Sequence, residues 1–289
     1  MTGATGKQGG EVINSLLDFG HIVRGMTRNP ESKRAKFLAD QGVEIVRGDF
    51  KDSDSLREAL KGVDAAFLMG TPFEEGVEEE TNQGITFINL AKEIGLKHLI
   101  YSSVGSAHKK TGIPHFESKF RVEEHLRKID IPYTIVRPVY FMENLLAPWA
   151  FPALREGKIE APMPPDRKLA MLALHDLGRF VVHVLENRKR FLGQAIDIAS
   201  DKVSHGEIAR ILSRVLDRKI KFHQQSYSDI EAYGDDMVKM YKWMNEFGYD
   251  VDLVELKSNY PIIKWTRFDE WAEERDWSVL QEPIATHIN

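Results

Sequence analysis

Three glycines spaced three apart open the chain: Thr2-Gly3-Ala4-Thr5-Gly6-Lys7-Gln8-Gly9-Gly10 reads G-x-x-G-x-x-G. A turn of this kind handles phosphates with backbone rather than side chains. Gly3 permits the tight turn, Gly6 lets the backbone approach a pyrophosphate, and Gly9 lets the following helix pack closely. The start of that helix turns unpaired N–H groups and the positive end of its dipole toward the anion. Gly3, Thr5, Gly6, Lys7, Gln8 and Gly9 are therefore the expected phosphate contacts of a dinucleotide. A second chemistry-bearing pair is His115 and Lys119, four residues apart and so on one face of a helix. Imidazole is a competent proton donor near neutral pH. An ammonium one turn away disfavours its charged form, leaving a neutral ring suited to orienting a carbonyl.

The elements that must position these residues alternate. Val12, Ile13, Leu16 and Leu17 give Glu11 to Phe19 the apolar face of a helix. His21 to Thr27 reads as a strand, Ser32 to Gln41 as a helix and Val43 to Arg47 as a short strand. Asp52-Ser53-Asp54-Ser55 opens a helix to Lys61. A buried strand at Ala65 to Met69, a long helix from Glu78 to Ile94 and a strand at His98 to Ser103 follow. A helix through Lys128 and a strand at Tyr133 to Val136 complete the pattern. This βαβ alternation predicts an α/β, doubly wound parallel-sheet Rossmann fold, with ligands outside the carboxyl ends of the strands. Beyond Pro138 the pattern loosens into proline-rich stretches and helices at His175–Glu186, Ser204–Leu216 and Asp236–Phe247. The expected division is a nucleotide-binding domain over residues 1–140 and a smaller substrate or partner lobe over 141–289, part of it returning to the sheet. One feature conflicts with the fingerprint, which should follow a buried central strand: only Met1 and Thr2 stand there. Either further residues precede Met1, or the first strand is stunted and opens a gap in the sheet.

The strand ends select the nucleotide. Thr27-Arg28-Asn29-Pro30 lacks the carboxylate with which NAD sites hold the ribose 2′-hydroxyl. Arg28 instead offers a planar fork of charged donors to a 2′-phosphate, with Lys33 or Arg34 adding charge. NADP(H) is thus expected over NAD. Asp49 and Phe50 are placed to flank the adenine, and Met69, Gly70 and Thr71 to pass the ribose and nicotinamide. Val139, Tyr140 and Phe141 are placed to roof the nicotinamide, with Asn144 nearby. The acidic run Glu74-Glu75 and Glu78-Glu79-Glu80 is expected as a solvated helix start favoured by the dipole.

Bulk properties bound the rest. With 289 residues, 42% hydrophobic and 10% aromatic, the chain suits one large α/β domain with or without a small appendage. A net charge of −5 without a long basic run gives no support to a nucleic-acid partner. The absence of cysteine excludes disulfides, cysteine–zinc sites and thiol nucleophiles. The most apolar stretch, Leu145 to Leu154, is short and broken by Pro148 and Pro152, so no membrane span is expected and the chain reads as cytoplasmic. His175, His183, His205 and His223 lack metal-ligand spacing, and no metal is expected. Oligomeric state is not legible.

An ordered set of motifs resembles the NmrA-like family of atypical short-chain dehydrogenases. It comprises Thr2-Gly3-Ala4-Thr5-Gly6, Thr27-Arg28-Asn29-Pro30, Gly48-Asp49, Tyr101-Ser102-Ser103, His115-Phe116-Glu117-Ser118-Lys119, Val136-Arg137-Pro138 and Phe141-Met142-Glu143-Asn144. The likeness runs from residue 2 to about 200, with Ile196-Asp197-Ile198-Ala199-Ser200 and Phe268-Asp269-Glu270-Trp271 still similar. It implies an extended Rossmann fold and NADP(H) binding. Ordinary short-chain dehydrogenases use a serine, a tyrosine that protonates the substrate carbonyl, and a lysine that supports the tyrosine and holds the ribose. By resemblance Lys119 takes the lysine place, Ser102 or Ser103 the serine region, and His115 stands where the tyrosine would. The tyrosine mechanism is absent, which leaves His115, Lys119 and Ser103 as catalytic candidates and Ser102 and Lys119 as cofactor contacts. Substrates that accept a hydride and then a solvent proton, such as quinones, suffer least from this. The family holds both NADPH-dependent reductases and cofactor sensors that regulate other proteins. Two readings follow: a reductase of a small carbonyl or quinone-like substrate, with an apolar pocket between His115 and Phe141–Trp149, or a non-catalytic NADP(H) sensor acting on a protein partner. A scaffold with a vestigial nucleotide site is the third.

Overall fold

Short apolar runs that end in polar, glycine or proline residues become parallel strands, and the N-cap residues between them start the helices. The computed structural model describes residues 1–280. In chain order the first unit holds α1 (Lys7–Asp18), β1 (Arg24–Thr27), α2 (Lys33–Asp40), β2 (Glu44–Arg47), α3 (Ser53–Leu60) and β3 (Ala65–Met69). It continues with α4 (Pro72–Glu75), α5 (Val77–Glu93), β4 (His98–Ser102), α6 (Pro114–Lys128) and β5 (Tyr133–Pro138). The second unit begins with β6 (Tyr140–Phe141), α7 (Phe151–Arg155), β7 (Lys158–Ala161) and β8 (Lys168–Leu172). The chain returns to the first unit with α8 (Leu174–Glu186), α9 (Arg188–Phe191) and β9 (Ala195–Ile198). The second unit resumes with β10 (Asp201–Ser204), α10 (His205–Val215), β11 (Lys221–Gln224) and α11 (Asp235–Glu246). Helix α12 (Leu253–Asn259) belongs to the first unit and α13 (Phe268–Glu273) to the second.

In the first unit β1 pairs with β2, and β3, β4, β5 and β9 pair in that order, every pairing parallel. Met1 and Thr2 lie between the two groups. Met1 accepts the Met26 N–H at 2.9 Å, and the Thr2 N–H reaches the Phe67 carbonyl at 3.0 Å. The Thr2 hydroxyl extends the ladder by accepting the Met69 N–H at 2.8 Å and donating to its carbonyl at 3.0 Å. The gap expected from the sequence is therefore bridged by these two residues, one of them using its side chain. Behind the sheet, Leu56, Phe87, Ile88, Leu99, Val122 and Ile135 form a dry core. Helix α1 packs on α8, where a side chain at Gly178 would stand 2.2 Å from the Ser15 hydroxyl.

Two boundaries differ clearly from expectation. The helix read from Glu11 already begins at Lys7. The strand read from His21 begins only at Arg24. The His21 N–H is taken by Leu16 at 2.9 Å as the chain leaves α1, and Ile22 is 97% exposed.

The second unit holds two small sheets. Strand β8 pairs antiparallel with β10 and parallel with β6, and β11 pairs parallel with β7. Ser204 and Glu207 form a reciprocal capping box at the start of α10. Glu143, buried, receives the Trp271 indole at 2.9 Å and Arg275 at 2.5 Å. Among the described residues no helix is long and apolar enough to cross a membrane.

Candidate dinucleotide site at the carboxyl edge of the sheet

The glycine turn is built as its spacing requires. Gly3 adopts φ +61°, and a Cβ on Gly9 would stand 2.1 Å from the Gly3 carbonyl oxygen. Gly6 N–H closes the turn onto Gly3 at 3.0 Å and then serves as N-cap of α1. No side chain caps that helix and no acid stands in its first turn. Its leading N–H groups and dipole end are thus left for an external anion. The Gln8 amide oxygen is buried beside them without a hydrogen-bond partner. A backbone cradle with these properties fits a pyrophosphate. Arg34 lies against it, since a Cβ on Gly10 would come within 2.9 Å of its guanidinium.

At the ends of β1 and β2 stand the residues expected to meet the adenosine half. Arg28 follows β1 and forms an ion pair with Glu74 of α4 at 2.8 Å, both side chains more than half exposed (62% and 54%). Asp49 accepts the Lys51 N–H at 3.0 Å in a local turn. Phe50 is turned toward the core, its ring 6.1 Å from that of Phe87. Lys51 pairs with Glu75 at 2.6 Å.

At the ends of β3 and β4, Met69, Gly70 and Thr71 stand beside α6. Lys119 donates to the Gly70 carbonyl at 3.2 Å and forms an ion pair with Glu80. Glu80 is buried at 3% exposure and also accepts the Ser118 hydroxyl at 2.6 Å. The acidic run expected to be solvated is therefore partly consumed: Glu80 sits inside the unit, and Glu74 and Glu75 face cations. The reason is helical phase. Glu80 continues the stripe Gly84, Phe87, Ile88 and Ala91 on the buried face of α5, a signal the sequence carried.

His115 is buried one turn before Lys119, its ring edge-on to Phe116 at 4.8 Å and 5.7 Å from Phe73. The Tyr101 hydroxyl reaches the Lys119 carbonyl at 3.5 Å, and burial, reinforced by Glu80 and Glu123, holds its phenol well above the usual range. The Ser102 hydroxyl is buried without a partner.

Ser103 is differently committed. Its hydroxyl donates to Glu123 at 2.6 Å. Fully buried Glu123 also receives Arg137 through two bonds of 2.6 and 2.8 Å. Arg137 reaches Asp197 at 3.2 Å and His108 at 2.8 Å. Burial raises the Asp197 carboxyl against the opposing pull of the Ser106 N–H and Arg137. Burial and then Arg137 lower His108, consistent with a neutral ring accepting from the guanidinium. This cluster escaped the sequence reading, although Glu123 lies seven residues after Phe116 on the buried face of α6.

Of the remaining expected contacts, Tyr140, Phe141 and Asn144 belong to the second unit. There the Tyr140 hydroxyl shares hydrogen bonds with Tyr241 and Asn144 while burial raises it, and Phe141 pairs with Leu172 in the sheet. Among the described residues no cluster of His, Asp or Glu is arranged to hold a metal ion.

Comparison with known proteins agrees with this geometry. The NmrA-like family model matches residues 1–272. An NmrA-like family domain-containing protein of Dictyostelium discoideum is 25% identical, over 96% of this chain and 97% of its own. The Citrobacter sp. triphenylmethane reductase, solved in complex with NADP(H), superposes with a TM-score of 0.80 at 22% identity, covering 94% of this chain and 97% of that one. The NADPH-dependent quinone oxidoreductase of Escherichia coli, solved with NADPH, has a TM-score of 0.76 at 25% identity, covering 91% and 93%. The α/β parallel-sheet architecture is thus the one these neighbours share, and the chain belongs to the NmrA-like family.

Proposed function

We propose that this protein is a cytoplasmic NADP(H)-dependent oxidoreductase acting on a small quinone-like or carbonyl substrate. The observation that carries the reading is the glycine turn that leads into α1 without a side-chain cap, with Arg28 at the end of β1, the strand paired to Met1. The turn and the start of α1 hold the pyrophosphate, Arg28 addresses the 2′-phosphate, and Lys119 with the Gly70 backbone holds the nicotinamide ribose. The unpartnered Ser102 hydroxyl is available to the same half of the ligand. When bound, the cofactor supplies the hydride. His115 orients the acceptor oxygen by hydrogen bonding, and solvent delivers the proton that a tyrosine would otherwise give. Substrates that tolerate late protonation are therefore favoured. The two solved neighbours, both reductases holding NADP(H), support the reading.

One observation favours a second role as a cofactor sensor: Lys119 is neutralised by Glu80 and Ser103 is committed to Glu123, so neither is poised to activate an acid. A sensor further requires that oxidised and reduced cofactor bind its partner-competent state unequally.

The test is calorimetric titration of the whole chain with NADPH, NADP⁺ and NADH, followed by NADPH oxidation against a panel of quinones and carbonyls. Selective NADP(H) binding with quinone-dependent oxidation is expected. Selective binding with no turnover across the panel transfers the assignment to the sensor, and absence of binding refutes both.

A further inference from the structure

Past β3 the chain makes a short detour before α5. The Thr71 hydroxyl accepts the Phe73 N–H at 3.4 Å, and α4 then sends three side chains to four neighbours. Glu74 takes Arg28 at 2.8 Å. Glu75 takes Lys51 at 2.6 Å and the Gln83 amide at 2.8 Å. Pro72 is buried, whereas Phe73 sets its ring 5.7 Å from that of His115 yet stays 71% exposed. Arg28 follows β1 and Lys51 follows β2, so the ion pairs draw α4 as a strap across the carboxyl ends of both strands.

We infer that Glu74 is a cofactor-specificity residue, the resident anion on Arg28 that a 2′-phosphate must displace. The inference rests on the NADP(H) reading above and assigns a further residue to that site. One guanidinium fork cannot serve a carboxylate and a phosphate fully at once, and the two anions repel across it. NADH, lacking the 2′-phosphate, leaves the Glu74–Arg28 pair intact. Selectivity is therefore set by a competition, and the chain discriminates less than a free Arg28 would allow. Because both partners are exposed, the exchange is shallow: removing the competitor is expected to change affinity by about fivefold, the scale of one surface ion pair. The effect should shrink as added salt screens it.

The experiment compares wild type, Glu74→Gln, Arg28→Gln and the double variant as full chains, each titrated with NADPH and NADH at low and high salt. Glu74→Gln should tighten NADPH roughly fivefold, leave NADH unchanged, and have no effect on NADPH when Arg28 is already glutamine. Wild type that binds NADPH, with Glu74→Gln unchanged, weaker, or tighter for NADH by the same factor, overturns the role of Glu74 while leaving the cofactor assignment standing. Failure of wild type to bind NADPH overturns both.

Discussion

Two groups of charges stand at the same edge of the parallel sheet and obey opposite rules. Behind β4 and β5, Glu123 and Arg137 are nearly dry, their side chains 0% and 6% exposed, with Asp197 beside them at 15%. Ahead of β1 and β2, the pairs Arg28–Glu74 and Lys51–Glu75 are wet, Arg28 and Lys51 being 62% and 60% exposed. A buried ion left without its partner has no water to turn to, so the first group is permanent. An exposed pair contributes little and exchanges readily, so the second can hand its cations to a ligand. Glu80–Lys119 lies between these limits, its carboxylate 2% and its ammonium-bearing side chain 12% exposed. The difference separates charges that shape the edge from charges that work there.

The contrast can be broken most forcefully at Glu123. Glu123→Ala leaves buried Arg137 with Asp197 alone as its counter-ion and is expected to cost about 3 kcal/mol of stability by urea denaturation. A loss below about 1 kcal/mol would move the cluster into the wet class. At Lys119, replacement by Met leaves Glu80 buried without its cation, and a loss of about 2 kcal/mol is expected together with weaker cofactor binding. Stability unchanged alongside weakened binding would mean that Glu80 needs no partner.

Acid offers a third handle through two buried imidazoles, one in each unit. Burial, aided by Arg188, lowers His98 to about 4, and burial lowers His205 to about 4. Both folded values lie below the unfolded value of 6.5, so the unfolded chain takes up protons first. The stability these groups support is full above pH 6.5 and falls progressively toward pH 4. Urea midpoints measured across that window should show the fall, and a shallower one in His98→Gln; superimposable profiles would assign the protons elsewhere. The smallest stability effect is expected at Arg28. Arg28→Ala should cost less than about 1 kcal/mol of stability, yet weaken NADPH about tenfold while sparing NADH. Equal losses for the two nucleotides would remove the 2′-phosphate role.

Much of this edge was legible in local sequence. The glycine spacing, the arginine after β1 and the alternation of helix and strand are short-range signals, and each fixes a backbone feature by itself. Glu80 and Glu123 were hidden for a different reason. Helical phase put each on the buried side of its helix, but the partner that makes a buried carboxylate tolerable is chosen only by the tertiary fold: Lys119 for one, Arg137 and Ser103 for the other. The bridging of the sheet by Met1 and Thr2 was equally out of reach, because a threonine hydroxyl completing a strand ladder with Met69 depends on a residue 67 positions away. The exposed pairs were missed in part, since Arg28 was legible as a cation but Glu74 as its occupant was not.

The close fit of α1 against α8 has a consequence for synthesis. The helix that presents the glycine turn is translated before the surface it docks on, which includes Gly178 and follows only after the first segment of the second unit. At about 5–20 residues per second, roughly 8–30 s separate the end of α1 from the start of α8. Throughout that interval the face of α1 that α8 will cover lacks that partner. A nascent chain of this protein is therefore expected to expose that face well after its ligand-binding turn has been made.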